Sequence, residues 1–185
     1  MDKIICLVGE SGSGKTTLCK DLESEGYNII KSYTTRKPRY EGEYGHIFTD
    51  DYARVKDMIY IPEPVIAYTY FDNEHYWATK EQYENKGVSI YVIDPVGINQ
   101  LRESVKDAEI TVVYLRCSRQ ERYQRMKNRI IFNGDGTNRK LAMNEAMNRI
   151  LHDESKFNSV KCDYSVNADR SIRDILADLR RIIEG

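Results

Sequence analysis

The stretch Gly9-Glu10-Ser11-Gly12-Ser13-Gly14-Lys15-Thr16 satisfies G-x-x-x-x-G-K-[ST] at every fixed position, and it dictates what must surround it. A loop that wraps a polyphosphate has to offer several backbone N–H groups and let the main chain approach closely, which Gly9, Gly12 and Gly14 permit. Lys15 brings a point positive charge to the outer phosphates, and the Thr16 hydroxyl completes a magnesium shell with phosphate oxygens and water. Such a loop follows a buried strand and opens a helix, whose N-terminus adds partial positive charge. Both contexts are present. Ile4-Ile5-Cys6-Leu7-Val8 is a continuous apolar run of the kind covered on both faces, and Leu18 and Leu22 lie four apart on one helical face. A glycine-rich turn that binds nothing is the alternative.

At 185 residues the chain suits one α/β domain with small inserted lobes rather than two ordinary domains. Its 28 basic and 29 acidic side chains leave a formal net charge of -1, which gives no support to a nucleic-acid partner or an acidic tail. Cys6, Cys19, Cys117 and Cys162 stand far apart with no C-x-x-C pair, so neither a disulfide framework nor a zinc site is expected, and reduced core thiols fit the cytosol. No apolar run reaches membrane-spanning length and the first strand leaves no room for a signal peptide, so a soluble cytoplasmic protein is expected.

After the helix stop at Gly26, Tyr27 to Lys31 reads as a short strand. Ser32-Tyr33-Thr34-Thr35-Arg36-Lys37-Pro38-Arg39 then places two arginines three apart across a proline whose fixed φ limits the backbone. Two guanidiniums held together suit a phosphate monoester, although a solvated basic loop has the same spacing. This S-x-T-T-R-x-P-R, followed by Gly42-Glu43 and Phe48, resembles the acceptor-binding segment of guanylate kinases, and with the phosphate loop upstream the resemblance covers essentially the whole chain. It implies a nucleoside monophosphate kinase using ATP and Mg2+, with Ser32 touching guanine and Arg36 and Arg39 holding the acceptor phosphate. The donor side would be Glu10, Ser11, Gly12, Ser13, Gly14, Lys15, Thr16 and Thr17. The link to the family's Y-x-F element is shorter here. Counting back from Phe48 puts His46 in the tyrosine's place, where an imidazole either donates to phosphate or is a surface residue.

Thr49-Asp50-Asp51 offers caps for a short helix through about Met58, broken by Pro62-Glu63-Pro64, and Val65 to Phe71 with His75 to Thr79 reads as a hairpin across Asp72-Asn73. Tyr76-Trp77-Ala78-Thr79 looks like the family's Y-Y-G-[ST], which implies Trp77 at the acceptor phosphate and Thr79 at the base; a packing anchor is the other reading of Trp77. Where the family has a guanine-reading glutamate, counting back from the hairpin gives Tyr68. A tyrosine cannot supply two acceptor oxygens, so another carboxylate such as Glu63, Asp72 or Glu74 reads the base, or the acceptor differs. Thr79 through Lys86 is expected as a helix closed by Gly87. Val88 to Asp94 is a buried strand ending in a carboxylate, where such folds hold magnesium and its waters. Asp94 is therefore the expected metal-side acid beside Thr16. Its D-P-V-G resembles the family's D-x-x-G, which implies that it also faces the acceptor, and a helix N-cap role is compatible with both.

A helix from Val96 to about Val105 and a strand over Glu109 to Leu115 lead to Arg119, Arg122, Arg125 and Arg129, spaced along one helical face. One reading is a salt-laced surface in which Glu121 pairs with Arg125; the other is a lid whose arginines close on the transferring phosphoryl group. Arg125-Met126-Lys127-Asn128-Arg129 resembles the family's R-L-x-x-R, which implies catalytic roles for Arg125 and Arg129 beside Lys15 and Arg36. After the turn-rich Asn133 to Gly136, Thr137 to Phe157 reads as a long helix carrying Arg149, either a phosphate ligand by the resemblance or a partner of Glu145. Cys162 to Val166 is the last strand. The resemblance places Asn167 beside the adenine of ATP, and Ile172, Ile175, Leu176, Leu179, Ile182 and Ile183 make the final helix amphipathic.

The pattern predicts an α/β, P-loop NTPase three-layer fold with a parallel sheet in a single domain, 1–185. Its core covers 1–31, 88–117 and 159–185, with an inserted acceptor-binding lobe at about 32–87 and a helical lid at about 118–158. The expected reaction moves the ATP γ-phosphate to GMP or dGMP. Another (deoxy)nucleoside monophosphate acceptor, or a non-catalytic binding module, is the alternative. The expected partners are small-molecule nucleotides, without nucleic acid or membrane, and the expected state is a monomer or small homo-oligomer.

Overall fold

The structure, a computed structural model, describes residues 1–49, 64–71, 73–133, 139–157 and 160–185. The short helix through Met58, the candidate acids Glu63 and Asp72, and the turn over 134–136 lie outside the described residues.

The apolar run Ile4–Val8 forms the body of β1 (Asp2–Val8), and all five of its residues are fully buried. The phosphate loop carries β1 into α1 (Lys15–Ser24). With β2 (Asn28–Ile30), β7 (Val88–Val92), β8 (Ala108–Arg116) and β9 (Tyr164–Asn167), β1 makes a mostly parallel sheet of order β2-β7-β1-β8-β9. Helices connect its later strands, as a parallel sheet requires: α2 (Pro95–Ser104) leads to β8, α3 (Arg119–Asn133) and α4 (Arg139–Phe157) lead to β9, and α5 (Ile172–Glu184) follows. A second sheet of order β4-β3-β6-β5 joins β3 (Ser32–Thr34), β4 (His46–Phe48), β5 (Val65–Phe71) and β6 (Glu74–Thr79). The β5–β6 hairpin is where alternation places it; β3 and β4 are three-residue strands that periodicity does not reveal.

One expectation is corrected here. The helix over Thr79 to Lys86 is only a single 3-10 turn, Lys80–Gln82. Asn85 takes a left-handed φ of 59°, and the Asp2 carboxylate accepts the Asn85 and Gly87 backbone N–H groups, each at 2.9 Å, so those amides cannot serve a helical ladder.

The chain divides into two compact units, residues 1–6 with 19–111 and residues 7–18 with 112–185. The first buries Leu22, Ile30, Ile90, Ile98 and Leu101, together with the second sheet's Ile66, Trp77 and Ala78. In the second, Met126 of α3 packs with Ala146 and Ile150 of α4, and α5 buries Ile175, Leu176, Leu179 and Ile183 along its apolar stripe. None of the four cysteines, all of them among the described residues, is in a disulfide. No helix among the described residues is long and apolar enough to cross a membrane.

Candidate active site

In the second unit, the turn from β1 into α1 builds the phosphate loop. Gly12 sits at φ 83° and packs so closely on α3 that a Cβ there would lie 2.7 Å from Arg122 O. Lys15 Nζ donates to Gly9 O at 2.5 Å and Glu10 O at 3.0 Å and lies 3.4 Å from Ser13 Oγ, so the ammonium is drawn across the loop. Thr16 and Thr17 are exposed on the first turn of α1. A curved run of amides, an ammonium held against it and hydroxyls at a helix N-terminus fit a polyphosphate, and Thr16 is the residue of this unit that would hold a magnesium ion.

The four arginines of α3 have different fates. Arg125 donates through Nε to Glu121 Oε1 at 2.9 Å, through Nη2 to Ala168 O at 3.0 Å and through Nη1 to Ser13 O at 3.5 Å. Arg125 therefore pairs with Glu121, as a salt-laced helix face predicts, and also touches the phosphate loop. Arg129 is exposed, and exposed Arg119 places Nη2 3.7 Å from Met147 Sδ. Arg122, at 3% exposure, is buried against the loop, a placement that spacing on a helix does not signal. Asn167 accepts from Asp169 N at 2.9 Å, while Asp169 accepts from Ser118 N at 2.8 Å, which holds its carboxyl below the usual range. Burial pushes the neighbouring Cys117 thiol up to about 12, which makes it an inert core residue. Arg149 is half-buried on α4, and the side chain of Glu145 lies outside the described residues.

The first unit holds the acceptor-side candidates. Residues opposite one another in a sheet share a face, and the pairs Phe48↔Thr34, Thr34↔Tyr76 and Tyr76↔Thr69 make one row across four strands. Two residues along, His46, Ser32, Ala78 and Ala67 occupy the same face. Arg36 lies over this face, its guanidinium carbon 5.3 Å from the Phe48 ring centre and its side chain in contact with Tyr76. The Glu43 carboxylate holds both arginines. It accepts from Arg36 Nη2 at 2.9 Å and Nη1 at 3.1 Å, and from Arg39 N at 2.6 Å and Nη1 at 3.1 Å. Burial pushes the Glu43 carboxyl up, but the bonds from Arg36 and the Arg39 amide outweigh it and leave it below the usual carboxylate range. Burial first, then the Arg36 charge, pull His46 down, so its imidazole is neutral near pH 7. His46 Nδ1 and Arg36 Nε are both buried without a hydrogen-bond partner. At the other end of the row, Thr69 Oγ1 donates to Asp94 Oδ2 at 3.3 Å while Asp94 Oδ1 caps α2 through Gly97 N at 2.7 Å. Ser32 Oγ and Tyr91 Oη lie 3.1 Å apart.

Strand alternation turns three of the candidate residues, Trp77, Tyr68 and Thr79, away from the Arg36 face. Trp77 faces away from Arg36, 4% exposed and stacked on Tyr33 with ring centres 5.4 Å apart. Tyr68, paired with Trp77, shares that opposite face, and its hydroxyl lies 2.8 Å from His75 Nδ1. The residues one position along, Tyr76 and Thr69, face the arginines instead. Thr79 also lies on the Trp77 face, its hydroxyl donating to Glu81 Oε1 at 3.2 Å, and Glu74 accepts from Thr35 Oγ1 at 2.6 Å. The period-two pattern of the hairpin was the signal that identifies Tyr76 and Thr69.

A strand, a phosphate loop and a helix set into a mostly parallel sheet define a P-loop α/β protein of the NTPase type. More particularly, residues 5–146 match the family model described as AAA domain, and the chain belongs to that family. Among solved structures it is similar to the guanylate kinase from Anaplasma phagocytophilum, at 16% identity and TM-score 0.61 over 99% of this chain and 85% of that one. It is also similar to the protein APE1195, at 17% identity and TM-score 0.54 over 99% and 95%. At such identities the likeness speaks for the fold. No curated protein matches the chain.

Proposed function

We propose that the chain is an ATP-dependent nucleoside monophosphate kinase of guanylate-kinase type, with GMP or dGMP as acceptor. One observation carries the reading: Glu43 gathers the Arg36 and Arg39 guanidiniums beside the unpartnered Arg36 Nε, a geometry that suits a phosphate monoester, in a chain that also has an intact phosphate loop. Lys15 and the loop amides hold the donor phosphates. Arg36, Arg39, His46 and Tyr76 orient the acceptor phosphate, and Arg125 and Arg129 neutralise charge on the transferring group. Thr16 would hold a magnesium ion, Asp94 is the candidate metal-side acid of the first unit, and the ion would supply further charge neutralisation at the phosphates. In-line transfer needs no covalent intermediate on the protein.

A second reading, the same chemistry on another base, draws support from β5. Its sequence Val65–Phe71 contains no acid, and Ala67 and Thr69 are what it turns toward the arginines. Among the described residues of that face Asp94 is the acid within reach of Thr69, and it is also the candidate for the metal, so a base without guanine's N1–H and exocyclic amine suits this face as well. The experiment is ADP release with Mg2+ and ATP across ribo- and deoxyribonucleoside monophosphates, with an ATP-only control and Lys15→Ala as a folded, inactive reference. Selective turnover of GMP and dGMP is the expected result. Turnover of another base instead selects the second reading, and silence across the panel, or full activity of Lys15→Ala, overturns the kinase assignment.

A further inference from the structure

The least expected feature of the second unit is an arginine with two acids packed under the phosphate loop. Arg122 of α3, Asp153 of α4 and Glu10 of the loop have side chains only 4%, 11% and 14% exposed. Arg122 Nε donates to Ser11 O at 3.1 Å and Nη1 to Glu10 Oε1 at 3.3 Å, while Asp153 Oδ2 accepts the Ser11 N–H at 2.6 Å. Both main-chain polar groups of Ser11 are thus held by helices remote in sequence. Arg122 Nη2 lies 3.7 Å from Asp153 Oδ2, an ion pair beyond hydrogen-bond reach, and Asp153 Oδ1 faces exposed His152 Nδ1 at 3.9 Å. Next to Ser11, Gly12 touches the Arg122 main chain.

Burying an arginine and two carboxylates is costly, and well-packed apolar side chains of similar volume often give equal or better stability. Arg122 Nη2 and Glu10 Oε2 even remain without hydrogen-bond partners, so the cluster is poorly explained as a stabilising device. What it does achieve is geometric. A guanidinium and a carboxylate grip the N–H and C=O of one residue in the half of the loop that precedes Gly12, and so set the direction in which the following amides point.

We infer that Arg122 and Asp153 are positioning residues for the donor phosphates: they clamp the Ser11 peptide groups and thereby tie the shape of the phosphate loop to the packing of α3 on α4. The functional half of this inference rests on the reading of the loop as an ATP site, whereas the clamp itself does not. Two measurements keep them apart. The first is hydrogen exchange of the Ser11 and Gly12 amides without nucleotide. The second is MgATP binding by calorimetry, set beside the Tm of each variant.

Arg122→Lys retains a charge but loses the planar fork, and Arg122→Met combined with Glu10→Gln and Asp153→Asn removes all three charges of the cluster, so that none of its ions is left unpaired if the single change fails to fold. The clamp predicts slow Ser11 exchange in the wild type and faster exchange in both variants. It further predicts MgATP binding weaker by about tenfold or more in the triple variant, as expected for losing charge-assisted bonds, at a Tm equal to or above that of the wild type. A merely structural role would lower Tm and affinity together. Wild-type exchange at Ser11 as fast as in the variants overturns the clamp. A triple variant that binds MgATP as the wild type does overturns its positioning role. A wild type with a protected Ser11 amide and no affinity for MgATP overturns the ATP-site reading, and the positioning role with it, and leaves the clamp supported.

Discussion

Gly12 and Gly14 offer a matched pair for testing how closely α3 sits against the phosphate loop. Both hold left-handed backbone, at φ 83° and 99°, so an alanine at either position costs about 1–2 kcal/mol for its Cβ in that conformation. Their surroundings differ. A Cβ on Gly14 would meet Arg125 Nη1 at 3.6 Å and Ile172 Cδ1 at 3.9 Å, ordinary contact distances. On Gly12 it would fall 2.7 Å from Arg122 O, 3.0 Å from its Cα and 3.2 Å from its carbonyl carbon, all main chain that cannot rotate aside. Forcing atoms into a filled space of that kind adds about 1–3 kcal/mol. Gly12→Ala is therefore expected to be less stable than Gly14→Ala by about that margin, a further loss in Tm of several degrees at about 2–4 °C per kcal/mol. Thermal and urea unfolding of the two variants without nucleotide measures the difference and keeps any role in phosphate binding out of it. Equal stability of the pair would refute the close approach of α3 to the loop.

The acceptor side gives four further tests. Glu43→Gln neutralises a carboxylate whose side chain is 6% exposed and whose partner Arg36 is 14% exposed; breaking a pair so buried is expected to cost about 3–5 kcal/mol, read as a lower urea midpoint, with Glu43→Asp recovering part of it. Trp77→Phe, stacked on Tyr33, is expected to lose about 1–3 kcal/mol of stability with the acceptor KM unchanged. Tyr76→Phe is expected to raise that KM about 3–10-fold at constant Tm, and the opposite pattern would return the phosphate role to Trp77. His46 makes the protein acid-sensitive: its folded-state pKa lies below the ordinary 6.5, so just below 6.5 the unfolded chain binds a proton that the folded chain does not. Stability should thus fall as pH drops through about 6.5, and His46→Phe should flatten that stretch of the urea-midpoint profile.

The phosphate loop is legible in the sequence because its chemistry is local. Eight consecutive residues carry the phosphate loop, and the apolar runs on either side announce a buried strand and a helix without reference to anything distant. The candidate acceptor residues are not local, and what the sequence left open about them has one cause. Counting back from the hairpin selects Tyr68 and the likeness of Tyr76–Thr79 to a family element selects Trp77; the two are directly paired, so they fall together on the face turned away from Arg36. The ladder makes the same point in reverse, since moving one residue from Trp77 to Tyr76 moves its partner from Tyr68 to Thr69 and brings both to Arg36. What counting lacked was the register of β3, whose three residues are too few to show alternation but which fixes Thr34 opposite both Phe48 and Tyr76.

Arg122 fails to declare itself for a different reason. Arg119, Arg122, Arg125 and Arg129 share one stripe of α3, and a stripe of charge reads as a surface. In the structure that stripe runs from exposed Arg119 and Arg129, through Arg125 at the loop's edge, to Arg122 beneath it, beside Met126 at 1% exposure. Spacing alone ranks the four equally, because what separates them is the acid each one finds. Glu121 is four residues from Arg125 and visible on the same helix, whereas Glu10 and Asp153 stand 112 and 31 positions from Arg122 and meet it only when the loop, α3 and α4 have packed. A buried arginine of this kind can be neutralised only by tertiary structure, so its ion pairs form no earlier than the loop it grips. That ordering is why Arg122 belongs with the residues that shape the phosphate loop, while Arg129, exposed and further along the same stripe, is left available for a ligand.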